Sequence, residues 1–408
     1  MLVNGERIDP APVSSALLAA GVVLVAINLR PAAASVGPVL SRIQADEHLS
    51  STWAGALTTL PVLCFGLLAP LAPALARRFG LHRTIAGALC LLLIGIAARL
   101  VPGVGFLFVG TALAGAAIAT GNVLVPVLVR LHFHDRTGPA MALYGTALIG
   151  FAALAAGATV PLANALGGGW RSGLGVWAVP AAAAALAWAP ALTGSGSRGV
   201  GDHAGRSGAR REYSARSLLR SPLAWQVTLF FALQSGGFYA TLAWLPTIFE
   251  SHGAGAGHAG LLLSLTMIVG LVTAPVVPWL SMRFRDQRGL VVGGCALTLA
   301  GLLGVLLVPM SASYLWAVLL GLGQNSMFPL ALMMIVMRGG NVAATEGLST
   351  LAQSVGYVLG ALGPLLVGAL HAFTHSWTPP LVLLLVLVAP QIATGLAAGR
   401  DRRLAPGP

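Results

Sequence analysis

Apolar runs about twenty residues long follow one another down the whole chain, at roughly 14–40, 52–74, 84–101, 104–130, 138–162, 172–192, 223–249, 258–281, 289–309, 313–337, 346–370 and 377–398. A helix crossing ~30 Å of hydrocarbon needs ~20 such residues. With 57% hydrophobic and 8% charged residues in 408, the chain has too little polar surface to cover a soluble globule. We read it as an all-α membrane protein with twelve transmembrane helices. The 52 Gly and 25 Pro fit that reading, since small residues let membrane helices approach closely.

All 23 basic residues are Arg, and the formal net charge is +12. Their distribution argues against nucleic acid as a partner, because they sit in short connections and obey the positive-inside rule. Numbering the connections alternately from an inside N-terminus puts nineteen on the inside, including Arg7, Arg78, Arg83, Arg136, Arg211, Arg283, Arg288, Arg338 and Arg403. Arg42, Arg99 and Arg171 fall outside. The asymmetry places both termini in the cytoplasm and supports an even number of spans. Cys64, Cys90 and Cys295 lie within apolar runs and read as packing residues, without a disulfide or metal role. Glu6 and Asp9 ahead of the first run argue against a cleaved signal peptide.

The long polar stretch from Thr193 to Ser221 is rich in Gly, Ser and Arg and lacks apolar periodicity. It reads as a cytoplasmic linker, so the expected organisation is a six-helix bundle over 1–192, a linker over 193–222 and a second bundle over 223–408. Within the linker, Arg210 to Arg220 could lie on lipid as an amphipathic helix, but a disordered tether is the favoured reading. An internal repeat supports the two pseudo-symmetric halves. Arg78-Phe79 with Arg83 follows the second run as Arg283-Phe284 with Arg288 follows the eighth. Asn122 precedes Pro126 in the fourth as Asn325 precedes Pro329 in the tenth, and Gly150-Phe151 with Gly157 in the fifth matches Gly356-Tyr357 with Gly363 in the eleventh.

A duplicated bundle of this kind binds its substrate near the midplane between the halves. The polar and aromatic side chains at that depth are Asn28, Arg30, Asn122, Tyr144, Gln234, Tyr239, Trp244, Gln324, Asn325, Gln353 and Tyr357. Each has a plainer alternative. Asn122 and Asn325 can satisfy backbone groups freed by the prolines that follow. Trp244 can belong to an interfacial aromatic belt. Gln353 and Tyr357, four apart on one helix face, can bridge helices.

Arg30 is the sharpest case. A guanidinium at mid-membrane costs at least ~2.5–3.5 kcal/mol, so it is expected to face a bundle interior or a cavity. A buried acid would account for it, but all eleven acids fall in loops, tails or span ends. An unneutralised cation there attracts an anion or an electron-rich polar group, and its planar donors suit carboxylate-like oxygens. The nine His are also at ends or in loops, which argues against a dedicated proton carrier; Glu346, at the start of the eleventh run, comes nearest to one. The chain has no Walker-type loop and no metal-ligand cluster, and His132-Phe133-His134 reads as a solvent-facing loop. We expect no catalytic residue, no cofactor and no metal, a small-molecule substrate and the lipid bilayer as partners, and function as a monomer.

The two six-helix halves with basic loops resemble the major facilitator superfamily. Asn28-Leu29-Arg30-Pro31, Gly121-Asn122 with Pro126, Gln234 with Trp244-Leu245-Pro246, Gly323-Gln324 through Phe328-Pro329-Leu330, and Ala352-Gln353-Ser354-Val355-Gly356-Tyr357 resemble its cyanate and 2-nitroimidazole transporter (CynX/NimT-like) branch. The resemblance implies a bacterial inner-membrane carrier that works by alternating access on a small anion such as cyanate or a small nitro-heteroaromatic. In one loop the chain departs from the superfamily, since Arg77 stands where an acid is usual before Arg78. Arg78, Arg83, Arg283 and Arg288 are then expected at the cytoplasmic face, capping helix ends or binding lipid phosphate. Alternatives to anion transport are export of neutral aromatic drugs, suggested by Phe238, Tyr239, Trp244 and Tyr357, and a membrane sensor that does not translocate. If Pro38 matches Pro246, Phe238 is the counterpart of Arg30, and the cavity is cationic on one side and aromatic on the other.

Overall fold

The computed structural model describes residues 2–3, 6–7, 15–132, 137–189, 215–340 and 342–404. Apart from a two-residue ladder of Leu2–Val3 with Glu6–Arg7, its regular structure is helical. The helices fall into twelve segments that coincide with the apolar runs, and ten are long and apolar enough to cross a membrane. The sixth, Gly169–Gly175 and Ala178–Trp188, falls short, carrying Arg171, Ser172 and several Gly that lower its hydropathy. The seventh, Pro222–Ser251, carries Gln226, Gln234, Ser235 and Gly236-Gly237, which lower its hydropathy. Most of the expected linker lies outside the described residues. Its last part forms the helix Ala215–Arg220, whose Leu218 packs against Gly347 of the eleventh segment.

Several runs expected as single helices are jointed. The first consists of Ser15–Ala26, Pro31–Ala34, a 3-10 turn at Gly37–Val39 and Leu40–Asp46. Pro31 and Pro38 cause this, since proline lacks a donor and its ring crowds the carbonyl four residues back. The second bends through a 3-10 turn at Ala69–Leu71 that holds Pro70. The eighth is divided between Ala256–Ile268 and Gly270–Arg283, and the eleventh between Val342–Gly360 and Leu362–Thr374. The seventh, pseudo-symmetric counterpart of the first, runs unbroken through Pro246.

Segments one to six meet segments seven to twelve chiefly where the first packs on the seventh, the second on the eleventh and the fifth on the eighth, with smaller contacts of the first with the eighth and the second with the seventh. The seam is backbone against backbone. A Cβ on Gly55 would lie 2.7 Å from the Pro364 carbonyl oxygen, and one on Gly260 2.8 Å from that of Ala156. Gly37 abuts the Leu242 carbonyl just as closely. Hydroxyls pin the seam: Thr59 Oγ1 donates to Ala361 O (2.9 Å), Ser264 Oγ to Ala153 O (2.7 Å), and Ser51 Oγ shares a hydrogen with His371 Nδ1 (2.8 Å).

These contacts concentrate away from the end where Arg78, Arg83, Arg283, Arg288 and Arg338 gather. At that arginine-rich end Ala72–Phe79 packs on helices of its own half. Arg78 and Arg283 occupy the last turns of Ala72–Phe79 and Gly270–Arg283, where cations face the negative end of the helix dipole. Arg83 is exposed. Arg288 pairs with Asp286 (2.5 Å), and the Arg288 side chain and backbone N–H bonded to that carboxyl hold it below the usual carboxylate range. Arg338 is buried, with Nε donating to Ala398 O and Nη2 to Gly399 O (both 2.9 Å) and to the Gln287 side chain.

Arg99 opens the connection between the third helix, Leu81–Ala98, and the fourth, as the sequence leads one to expect, but its side chain turns inward: it is 1% exposed and donates to Ala32 O.

The seam yields a prediction. In a background lacking the three native cysteines, Thr59→Cys is expected to resist a membrane-impermeant maleimide at the sealed end. Adding Gly55→Trp, which cannot be seated against Pro364, is expected to make it reactive; equal labelling of both proteins would contradict the packing described.

Candidate functional site

The joint in the first segment is where the site begins. Displaced by Pro31, the N–H groups of Asn28 and Leu29 bond three residues back, to Val25 O (3.0 Å) and Ala26 O (3.2 Å). That leaves the Leu24 carbonyl without its helical donor, and Asn28 Nδ2 takes it at 2.7 Å. The same amide reaches Pro180 O on the sixth segment at 3.1 Å. Beyond the joint, Val36 N–H goes to Ala33 O (3.3 Å) instead of Ala32, and Arg99 Nη1 donates to Ala32 O at 2.6 Å. Between these fixed points, the Arg30 carbonyl starts the short helix, accepting from Ala33 and Ala34 at 3.1 and 2.9 Å.

Leu29 turns into the N-terminal half and packs on Gly121 of the fourth segment, whereas Arg30 stays half-buried. Its charge is felt at Tyr144, Tyr239 and Tyr357 on the fifth, seventh and eleventh segments, and the rings of Tyr239 and Tyr357 lie 6.4 Å apart. Arg30 makes no salt bridge among the described residues, and its buried Nε has no hydrogen-bond partner. Several described acids are engaged elsewhere: Asp46 and Glu47 with Arg171, Asp286 with Arg288, Asp401 with Arg338, and Glu250 with Ser41.

An aromatic cluster adjoins the cation. The Phe65 ring from the second segment lies 6.1 Å from Tyr239 and 5.7 Å from Tyr357. Phe231 meets Tyr357 edge-on at 5.0 Å and Phe328 at 6.0 Å, and Phe238 meets Tyr239 edge-on at 5.2 Å. Phe65 and Phe231 carry no polar mark in the sequence, and Phe328 enters there only within the Phe328-Pro329-Leu330 motif. Mid-run aromatic residues that the two halves could bring together would have been the signal.

The other sequence candidates divide. Asn122, Gln353 and Phe238 are half-buried, and Gln353 donates to Ser349 Oγ (2.8 Å). Asn325 takes the backbone role, donating to Thr266 O (2.8 Å) and Gly321 O (2.9 Å) beside the joint of the eighth segment. Gln234 and Gln324 line a narrow cavity inside the C-terminal half, with Thr298 and Gln391, large enough for a water molecule. Their amides bond to Ser235 Oγ (2.7 Å) and Thr241 Oγ1 (2.9 Å). Trp244 is in neither a lipid belt nor the cluster: it is 1% exposed, donates to Pro364 O (2.9 Å) and packs on Trp377. No group of three His, Cys, Asp or Glu among the described residues could hold a metal.

The Major Facilitator Superfamily profile matches residues 17–364. The chain is 41% identical to an uncharacterized transporter, YycB, of Bacillus subtilis, over 96% of this chain and 95% of that one. It is 35% identical to the 2-nitroimidazole transporter of Escherichia coli (96% of that protein, 95% of this chain) and 30% identical to the cyanate transport protein CynX of the same organism (90% and 87%). Among solved structures, a bacterial homologue of the human lysosomal transporter Spinster, in an inward-facing and occupied conformation, superposes with a TM-score of 0.77 at 14% identity, covering 96% of this chain and 99% of that one.

Phe65 joins the two halves at the cluster, and Phe→Ala in a packed interior costs about 3–5 kcal/mol. Phe65→Ala is expected to lower the melting temperature of the detergent-purified protein by several degrees. Tyr357→Phe, which keeps the ring and deletes a hydroxyl without a hydrogen bond in the structure, is expected to leave it unchanged. A thermal-shift series with the wild type checks both.

Proposed function

The chain belongs to the Major Facilitator Superfamily, and from that premise we propose that it carries a small anionic or electron-rich solute, a cyanate-like anion or a small nitro-heteroaromatic, across the bacterial inner membrane by alternating access. It is a multi-pass membrane transporter with a small-molecule substrate. The observation that carries the finer reading is Arg30: a guanidinium without an ion-pair partner among the described residues, its charge felt at three tyrosines that belong to or adjoin an aromatic cluster. The cation supplies charge and paired donors, the hydroxyls add polar groups for a solute, and flat rings suit a flat one. Relatives whose names specify cyanate and 2-nitroimidazole support the same class of substrate.

In this reading Arg30 is the central contact, Tyr144, Tyr239, Tyr357 and Phe238 complete the wall, and Asn122 and Gln353 flank it. The functional unit is a monomer of two six-helix bundles, 1–192 and 223–408, joined by the 193–222 linker, with no nucleic-acid partner. Both termini are cytoplasmic, so the arginine-rich end faces the cytoplasm and the sealed end faces out. With that orientation, a seam closed on the outer side corresponds to an inward-facing state.

The test is uptake of [14C]cyanate, nitrite and 2-nitroimidazole into proteoliposomes, with and without a pH gradient. Arg30→Gln is expected to weaken anion transport by about thirtyfold in apparent affinity, the equivalent of one lost charge-assisted contact of about 2 kcal/mol. Anion flux equal to wild type would overturn the site. The aromatic cluster favours a second reading, export of neutral aromatic compounds; it predicts that Arg30→Gln spares 2-nitroimidazole flux while Phe238→Ala and Tyr357→Ala impair it.

A further inference from the structure

We infer that Arg99 is a positioning residue for transport: it holds the second half of the joint in the first segment and thereby fixes the place of the Arg30 guanidinium. The inference rests on the reading of Arg30 as the substrate-contacting charge. Arg99 is 1% exposed, and among the described residues its side chain makes one hydrogen bond, from Nη1 to Ala32 O at 2.6 Å. Nε and Nη2 are buried without partners. Burying a guanidinium for a single acceptor, with no acid paired to it among the described residues, is costly, and a Leu or Met would fill the space more cheaply.

What Arg99 secures is specific. The Ala32 carbonyl is the one left over when Val36 N–H turns to Ala33, two residues past Arg30 and within the short helix that the Arg30 carbonyl begins. Asn28 secures the other side of the joint through Leu24 O and Pro180 O. Arg30 thus hangs between two clamps, one an amide and one a cation. Gly110 on the fourth segment makes room for the second clamp, since a Cβ there would come within 2.9 Å of Arg99 Cγ. Without Arg99 the Ala32 carbonyl lacks a donor, the turn to Gly37-Pro38 is free to rewind, and Arg30 moves with it. A displacement of ~1 Å at a contact that depends on geometry can cost up to ~100-fold.

The experiment uses the full-length protein in detergent, with [14C]cyanate and 2-nitroimidazole as probes and hydrogen exchange as a readout that needs no ligand. Arg99→Met is expected to raise the Kd for cyanate by ~10-fold. Arg99→Lys, which keeps a donor for Ala32 O, is expected to restore it to within about twofold. Arg30→Gln with Arg99→Met is expected to bind no more weakly than Arg30→Gln alone, because Arg99 acts through Arg30. Exchange should accelerate over 31–36 in Arg99→Met and stay unchanged elsewhere.

Multiplying effects in the double variant, or wild-type affinity in Arg99→Met, overturn the inference. If Arg99→Met does not fold, Arg99→Gln is read in the same way. Wild-type affinity in Arg30→Gln overturns the site reading instead, and the exchange result then decides the clamp by itself: unchanged protection over 31–36 overturns it.

Discussion

Inside a bilayer a backbone carbonyl has no water to turn to, and most of the unusual polar contacts in this molecule answer that constraint. Proline breaks the first segment and frees two carbonyls, and two side chains from different parts of the sequence are spent on them. Asn28 serves Leu24 and Arg99 serves Ala32. Asn325 does the same at the joint of the eighth segment, serving Thr266. Once the joints are stable, the residue between them is presented to the interior without belonging to a regular helix face. Arg30 occupies that position, and its charge is felt at tyrosines of three other segments.

Pseudo-symmetry makes the contrast between halves informative. The seventh segment stays helical through Phe238, which is half-buried against Tyr239. One half therefore contributes a jointed, charged edge and the other a straight, aromatic one. The C-terminal half puts its amides elsewhere: Gln234 and Gln324 turn into its own interior with Thr298 and Gln391. Its polar residues stiffen the bundle, while its rings adjoin the site.

The sequence made the architecture readable because length and apolarity are properties of each run by itself. The twelve segments, the family and the class of transport follow from them and from short motifs. The joints were less readable. Pro31 and Pro246 look alike in a string of letters, yet only the first breaks its helix, since the outcome depends on what can serve the freed carbonyls. The burial of Arg99 is illegible for a related reason: its place at a connection follows from the sequence, but nothing in the string marks the Ala32 carbonyl that draws its side chain inward. Phe65 was invisible because an apolar ring in an apolar run carries no mark. Arg30, Tyr144, Tyr239 and Tyr357 stand out in the string because each is an exception to its surroundings.

The seam between the halves has a kinetic consequence. Where Gly37, Gly55 and Gly260 lie against carbonyls, the two surfaces meet with almost no side chain between them. Parting them unlocks no large interdigitated rotamers and re-forms none on the return, so each opening carries little conformational friction. The few hydroxyl bonds, such as Thr59 to Ala361, act as detents that register the closed position without making it deep. A carrier that must rock once per solute needs a shallow, well-registered rest state more than a tight one, and glycine against backbone provides it.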